Sequence, residues 1–173
     1  MRLALETGEG LPDSNSYIDG SDVAWHMPGA DAERWEALGD EGRAQSLVAA
    51  SLFIDASFGW KGRRGSAGQA MSWPRSGVFL DGSPVPDDIV PARVRQACVM
   101  AVAVILDKGM GAFMHSGERE AKQESEGSLS RGYFDKGDLA DGVKSGYRHI
   151  DNLLRGLWEE PVSRIGFAGV RRA

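Results

Sequence analysis

Between Gly59 and Val78 the chain reads GWKGRRGSAGQAMSWPRSGV, with four cations (Lys61, Arg63, Arg64, Arg75), two tryptophans (Trp60, Trp73) and no acid. A guanidinium presents a planar fork of donors that matches carboxylates and phosphates, and a large ring gains much contact area for few rotatable bonds. Two chemistries suit this set. The cations can meet carboxylates of another protein surface, or they can meet phosphates while the tryptophans stack on bases. A third reading concerns the rings alone, since Trp60 and Trp73 can fold back onto the core and compact the loop.

Other chemistry finds little support. His26, His115 and His149 lie in three separate segments without a metal-ligand spacing. Cys98 falls on the packed face of a helix, where a buried thiol is inert. Glycines at 62, 65 and 68 are not followed by the Lys-Ser/Thr of a phosphate loop, and Asp87-Asp88 are chain neighbours rather than a converging pair. No nucleophile has an evident base. The residues read as a non-enzyme without a metal or other cofactor.

Charge is uneven along the 173 residues, whose net charge is −5. Residues 1–41 carry ten acids against two bases (net −8), and residues 42–78 carry five bases against one acid (net +4). Such polarity suits contacts between different surfaces, including surfaces of two copies of one chain. One cysteine excludes an intrachain disulfide. No apolar window approaches the roughly eighteen residues of a membrane span, and the N-terminus lacks the run of a signal peptide. A soluble product made inside a cell is expected.

The elements that must hold the basic stretch are helical. Val94, Ala97, Cys98, Ala101, Val102 and Ile105 repeat at helical spacing, and Val99, Met100, Ala103 and Val104 fill the other face. The spacing predicts a helix over 91–106, started by Pro91, ended by Lys108-Gly109 and buried nearly all round. A second helix runs from a cap at Asp40 to about Ser57, with Ala44, Leu47, Val48, Leu52 and Phe53 inward. Shorter helices cover about 32–38, aiming Trp35 at the core, and a stretch from Ser21 to Pro28-Gly29. A last one carries Tyr147, Ile150, Leu153, Leu154 and Leu157. The fold class is mainly α: a compact helical bundle with a long Gly/Trp/Arg-rich loop over 59–86 and a small β-hairpin over 121–134. One domain spans 1–160, and residues 161–173 form an extended arm, apolar at Val162, Ile165, Phe167 and Val170 and basic at Arg164, Arg171 and Arg172.

The runs SYIDGSDVAWHM, ERWEAL, ASLFIDASFGWKGRRGSAGQAMSWPRSGV and VPDDIVPARVRQA resemble one phage family. Its members are labelled DnaT-like single-stranded-DNA-binding proteins and are similar to the head–tail connectors, also called adaptor or head-completion proteins, of long-tailed phages and gene transfer particles. The resemblance covers residues 10–108. Its most specific elements are Lys61-Gly62-Arg63-Arg64 and Gln69 with Trp73-Pro74-Arg75-Ser76-Gly77. Phe53-Ile54-Asp55 departs from it, as does the longer basic tail.

The resemblance implies a structural virion protein of the phage neck, assembled in the host cytoplasm. It would form a homo-oligomeric ring of about twelve copies between the portal protein and a stopper or tail-completion protein. Packaged DNA would pass through without sequence-specific binding. Trp60, Lys61, Arg63, Arg64, Trp73 and Arg75, with Arg164, Ile165, Phe167, Arg171 and Arg172 of the arm, would then contact neighbouring subunits or the portal. The alternative is a single-stranded-DNA-binding module. Nucleic-acid-binding domains commonly have a pI above about 9, whereas this chain has a pI of about 5.2, and on that ground the neck role is the expectation.

Overall fold

The computed structural model describes residues 2–27, 29–113 and 145–159. Among them five α-helices carry the fold: α1 (Gly20–His26), α2 (Ala30–Ala37), α3 (Gly39–Ser57), α4 (Ala92–Lys108) and α5 (Arg148–Leu154). A 3-10 turn, Met110–Phe113, follows α4. Four two-residue strands lie between α3 and α4. They are β1 (Arg63–Arg64), β2 (Arg75–Ser76), β3 (Phe79–Leu80) and β4 (Ser83–Pro84), paired antiparallel as β1–β2 and β3–β4. The architecture is mainly α, as the apolar periodicity requires.

Helix α4 is the hub, with α3, α5, α1 and α2 all packed on it. Val94, Ala97, Cys98, Ala101, Val102 and Ile105 are buried, and the small residues among them let neighbouring backbones approach. Pro91 is the N-cap rather than the first helical residue, and Gly109 ends the helix at φ 85. The opposite face is not sealed as expected: Val99 is buried, Ala103 and Val104 are half-buried, and Met100 is exposed. In α3 the buried set is Ser46, Leu47, Val48, Ala50, Ser51 and Ile54. Leu52 is 51% exposed instead of inward, because it lies about 140° around the helix from Leu47. Asp40 does not cap α3. Leu38 holds the N-cap position, and Asp40 and Glu41 sit in the first turn, where an acid meets the positive end of the helix dipole.

Helix α1 is closed by a capping box between Asp19 and Asp22. Trp35 of α2 is buried as its position predicts. Helix α5 is shorter than its apolar pattern: Tyr147 is its N-cap, while Leu157 is buried in the turn beyond it. The N-terminal segment docks on α3 through Ser51, whose hydroxyl accepts the Tyr17 N–H at 3.1 Å and lies 3.1 Å from the Ser16 hydroxyl. Glu6, buried, folds its own loop by accepting the N–H groups of Gly8, Gly10 and Leu11 and the hydroxyl of Ser14. The segment 59–86, read as loop, holds all four strands. The hairpin expected over 121–134 and the arm 161–173 lie outside the described residues.

Burial pushes the Cys98 thiol well above its ordinary range, and the nearby charges of Asp55 and Asp22 add to this against a hydrogen bond with Ser51. The folded chain therefore keeps a proton that the unfolded chain releases. This contribution is complete below the unfolded thiol value of about 8.5 and is lost as pH rises above it. Urea denaturation between pH 8.5 and 9.5 should show stability falling, with up to about 1.4 kcal/mol per pH unit absent from Cys98→Ala. Equal slopes for the two proteins would contradict the burial of a protonated thiol.

Candidate functional site

The basic stretch begins where α3 ends, and it is tied to that helix through Asp55. The Asp55 carboxylate accepts the Tyr17 hydroxyl, the Ser72 N–H at 2.9 Å and the Ser72 hydroxyl at 3.2 Å. Its backbone carbonyl accepts the indole N–H of Trp60 at 3.1 Å. The Tyr17 hydroxyl in turn accepts the N–H of Trp73 at 3.0 Å. Burial, with the Asp55 charge, holds the Tyr17 phenol protonated far above its usual range, so it stays a donor. Trp73 precedes a cis peptide bond to Pro74.

Both tryptophans are core residues. Trp60 is 6% exposed and Trp73 is 0% exposed. Their rings meet edge to face at 5.7 Å between centroids, and Phe58 packs 5.4 Å from Trp60 and 5.9 Å from Trp158. An antiparallel bridge joins Trp60 to Trp158, and the Lys61 N–H donates to the Leu157 carbonyl at 3.0 Å. This corrects the expectation that Trp60 and Trp73 are contact residues on the surface. Their rings gain more from burying apolar area than an acidic surface could offer them.

Two further side chains shape the stretch from within. Gln69, buried, donates to the carbonyls of Met71 and Pro74 and accepts the Ser66 N–H. Arg75 donates to the carbonyls of Lys61 at 2.7 Å, Gly62 at 2.8 Å, and Trp60 and Ser72 at 3.2 Å. Partial burial, then the neighbouring Arg64 charge, hold its pKa below the ordinary arginine value. Arg75 is thus a staple of the loop rather than a free contact group. Gly62 has φ +74, and a Cβ there would lie 2.3 Å from the Ser76 carbonyl oxygen and 2.7 Å from a Val78 methyl. Only glycine permits this approach of β1 to β2.

What the loop presents outward is Arg63 and Arg64, both exposed, beside the half-buried Lys61. Arg63 pairs with Ser76 and Arg64 with Arg75 in the ribbon, and Arg64 reaches the Ser72 hydroxyl at 3.4 Å. Among the described residues none of these three makes an ion pair. The ion pairs run elsewhere: Asp31–Arg34, Glu36–Arg43, Asp81–Arg93 and Asp22–Arg95. Several acids of the N-terminal segment are thereby engaged within the chain itself. The hairpin β3–β4 follows the ribbon directly and sets Phe79 outward at 61% exposure. The sequence reading missed Phe79, although Asp81-Gly82 between flanking apolar residues is a hairpin signal. Arg164, Ile165, Phe167, Arg171 and Arg172 lie outside the described residues.

Residues 1–172 match the family described as “Putative DnaT-like ssDNA binding protein”. The chain belongs to that family. No curated protein and no solved structure gives a significant match. Membership corrects the expectation of a head–tail connector: the family is described by single-stranded DNA, not by a phage neck. The portal, stopper and ring partners inferred from that connector are withdrawn with it, as is DNA that merely passes through. The family description is that of a binding protein rather than of an enzyme.

Removing the Asp55 carboxylate leaves the Tyr17 hydroxyl and the Ser72 N–H short of an acceptor, so Asp55→Ala should cost about 2–3 kcal/mol in urea unfolding. Arg75→Ala, which strips four carbonyls of a donor, should cost about 1–2 kcal/mol. Arg63→Ala, on the outer edge, should fall within about 0.5 kcal/mol of the parent. Similar losses at Arg63 and Arg75 would refute this division between presenting and stapling cations.

Proposed function

We propose that this member of the DnaT-like family binds single-stranded DNA through the Arg63–Arg64 ribbon with Lys61. One observation carries the reading: a locally basic edge, unpaired with carboxylates among the described residues, is held rigid by buried staples on a protein of net charge −5. The description of the family supports single-stranded DNA as the ligand class. A ribbon ordered in advance loses little side-chain and loop entropy on binding, so its charge–charge gain is not spent on ordering the loop.

The contacts are to phosphate, which makes the binding independent of sequence and sensitive to salt. The acidity of the remaining surface weakens long-range attraction and confines the interface to this edge. Three phosphate contacts correspond to a slope of about −2 in log affinity against log salt.

Anisotropy of a labelled oligothymidine at low salt should report binding that Arg63→Glu/Arg64→Glu abolishes while the circular dichroism is unchanged. Arg63→Ala alone should make the salt slope shallower by about 0.7. Undiminished binding by the double variant would remove the ribbon from the interface, and no binding by the parent protein would overturn the function.

A further inference from the structure

We infer that Phe79 is a base-stacking platform, which makes the interface selective for unpaired nucleotides; this rests on the single-stranded-DNA reading above. Val78 is buried, Phe79 points outward, and Leu80 packs back on the core. This is the alternation of a strand with one face covered. The two-residue turn Asp81-Gly82 has positive φ at both positions, 52 and 82, the geometry whose twist suits a tight hairpin. Phe79 pairs with Pro84 and Leu80 with Ser83.

The hairpin is fastened at both ends. The Val85 N–H donates to the Val78 carbonyl at 2.9 Å, and Asp81 at the turn holds Arg93 at 3.0 Å. Leu80 lies close over Gly156, where a Cβ would come within 3.0 Å of its Cδ1. The hairpin backbone is therefore fixed with Phe79 on its outer face, and among the described residues its ring contacts no other aromatic ring.

Its neighbourhood selects the ligand. Phe79 follows Ser76, the partner of Arg63, by three residues, so its Cα lies at most about 11 Å from that of Ser76. Gly62, between Lys61 and Arg63, rests on Val78. A ring beside cations that hold the backbone is the combination single-strand binders use, because every base offers a face to stack on. In a duplex those faces are already stacked and paired. Trp25, exposed at 86%, stands on α1, outside the segment that carries the ribbon cations. It does not compete for this role.

Anisotropy titrations with a labelled oligothymidine and with a duplex of equal length test the inference. Phe79→Ala and Phe79→Leu should each weaken single-strand binding about 5- to 100-fold, Phe79→Trp should retain it, and the salt slope should stay that of the parent. Duplex binding should be the same in all four proteins. Parent-like single-strand affinity in Phe79→Ala, or a loss in Phe79→Ala that Phe79→Leu restores, would overturn the stacking role while leaving the ribbon intact. Absence of any salt-dependent binding by the parent would overturn the ribbon reading and the stacking role together.

Discussion

The carboxylate of Asp55 joins three parts of the chain that are far apart in sequence. It takes a hydroxyl from Tyr17 in the N-terminal segment and two donors from Ser72 in the loop, while itself sitting on the last turns of α3. A partly buried carboxylate without such donors is costly, and three donors make the site stable for one arrangement of those segments only. Trp60 and Trp73 are then placed with little freedom, since one donates to the Asp55 carbonyl and the other to Tyr17. Their rings close the core beneath the loop.

That arrangement turns a Gly- and Ser-rich stretch into a structured edge. The twelve residues from Arg64 to Arg75 span the ribbon pair, and within them Gln69 and Arg75 satisfy backbone groups that would otherwise need a longer sheet. The chain thereby spends one of its four loop cations on structure, leaving Arg63 and Arg64 exposed and Lys61 half-buried. Division of labour among like residues follows from burial: a guanidinium with four carbonyls around it can be half sunk, whereas one without them must stay in water.

The charge pattern takes a different meaning once these contacts are in place. A −8 segment and a +4 segment look complementary on paper. In the folded chain Asp22, Asp31 and Glu36 pair with Arg95, Arg34 and Arg43, and Glu6 faces its own loop. Among the described residues the ribbon cations pair with none of them.

Periodicity by itself determined the helices. Apolar residues at helical spacing located α4 and, within α3, the buried pair Leu47 and Val48, and Trp35 marked the inner face of α2, because amphipathic burial is a local property that a single helix displays along its own sequence. The basic character of residues 59–78 was equally plain. The roles of the loop residues were decided by tertiary structure. Whether Trp60 and Trp73 faced inward and whether Arg75 was staple or contact depended on partners such as Tyr17, Asp55 and Leu157, which are remote in the chain. A side chain's environment is set by what folds against it, and hydrogen bonds between residues 17, 55 and 73 have no local signature.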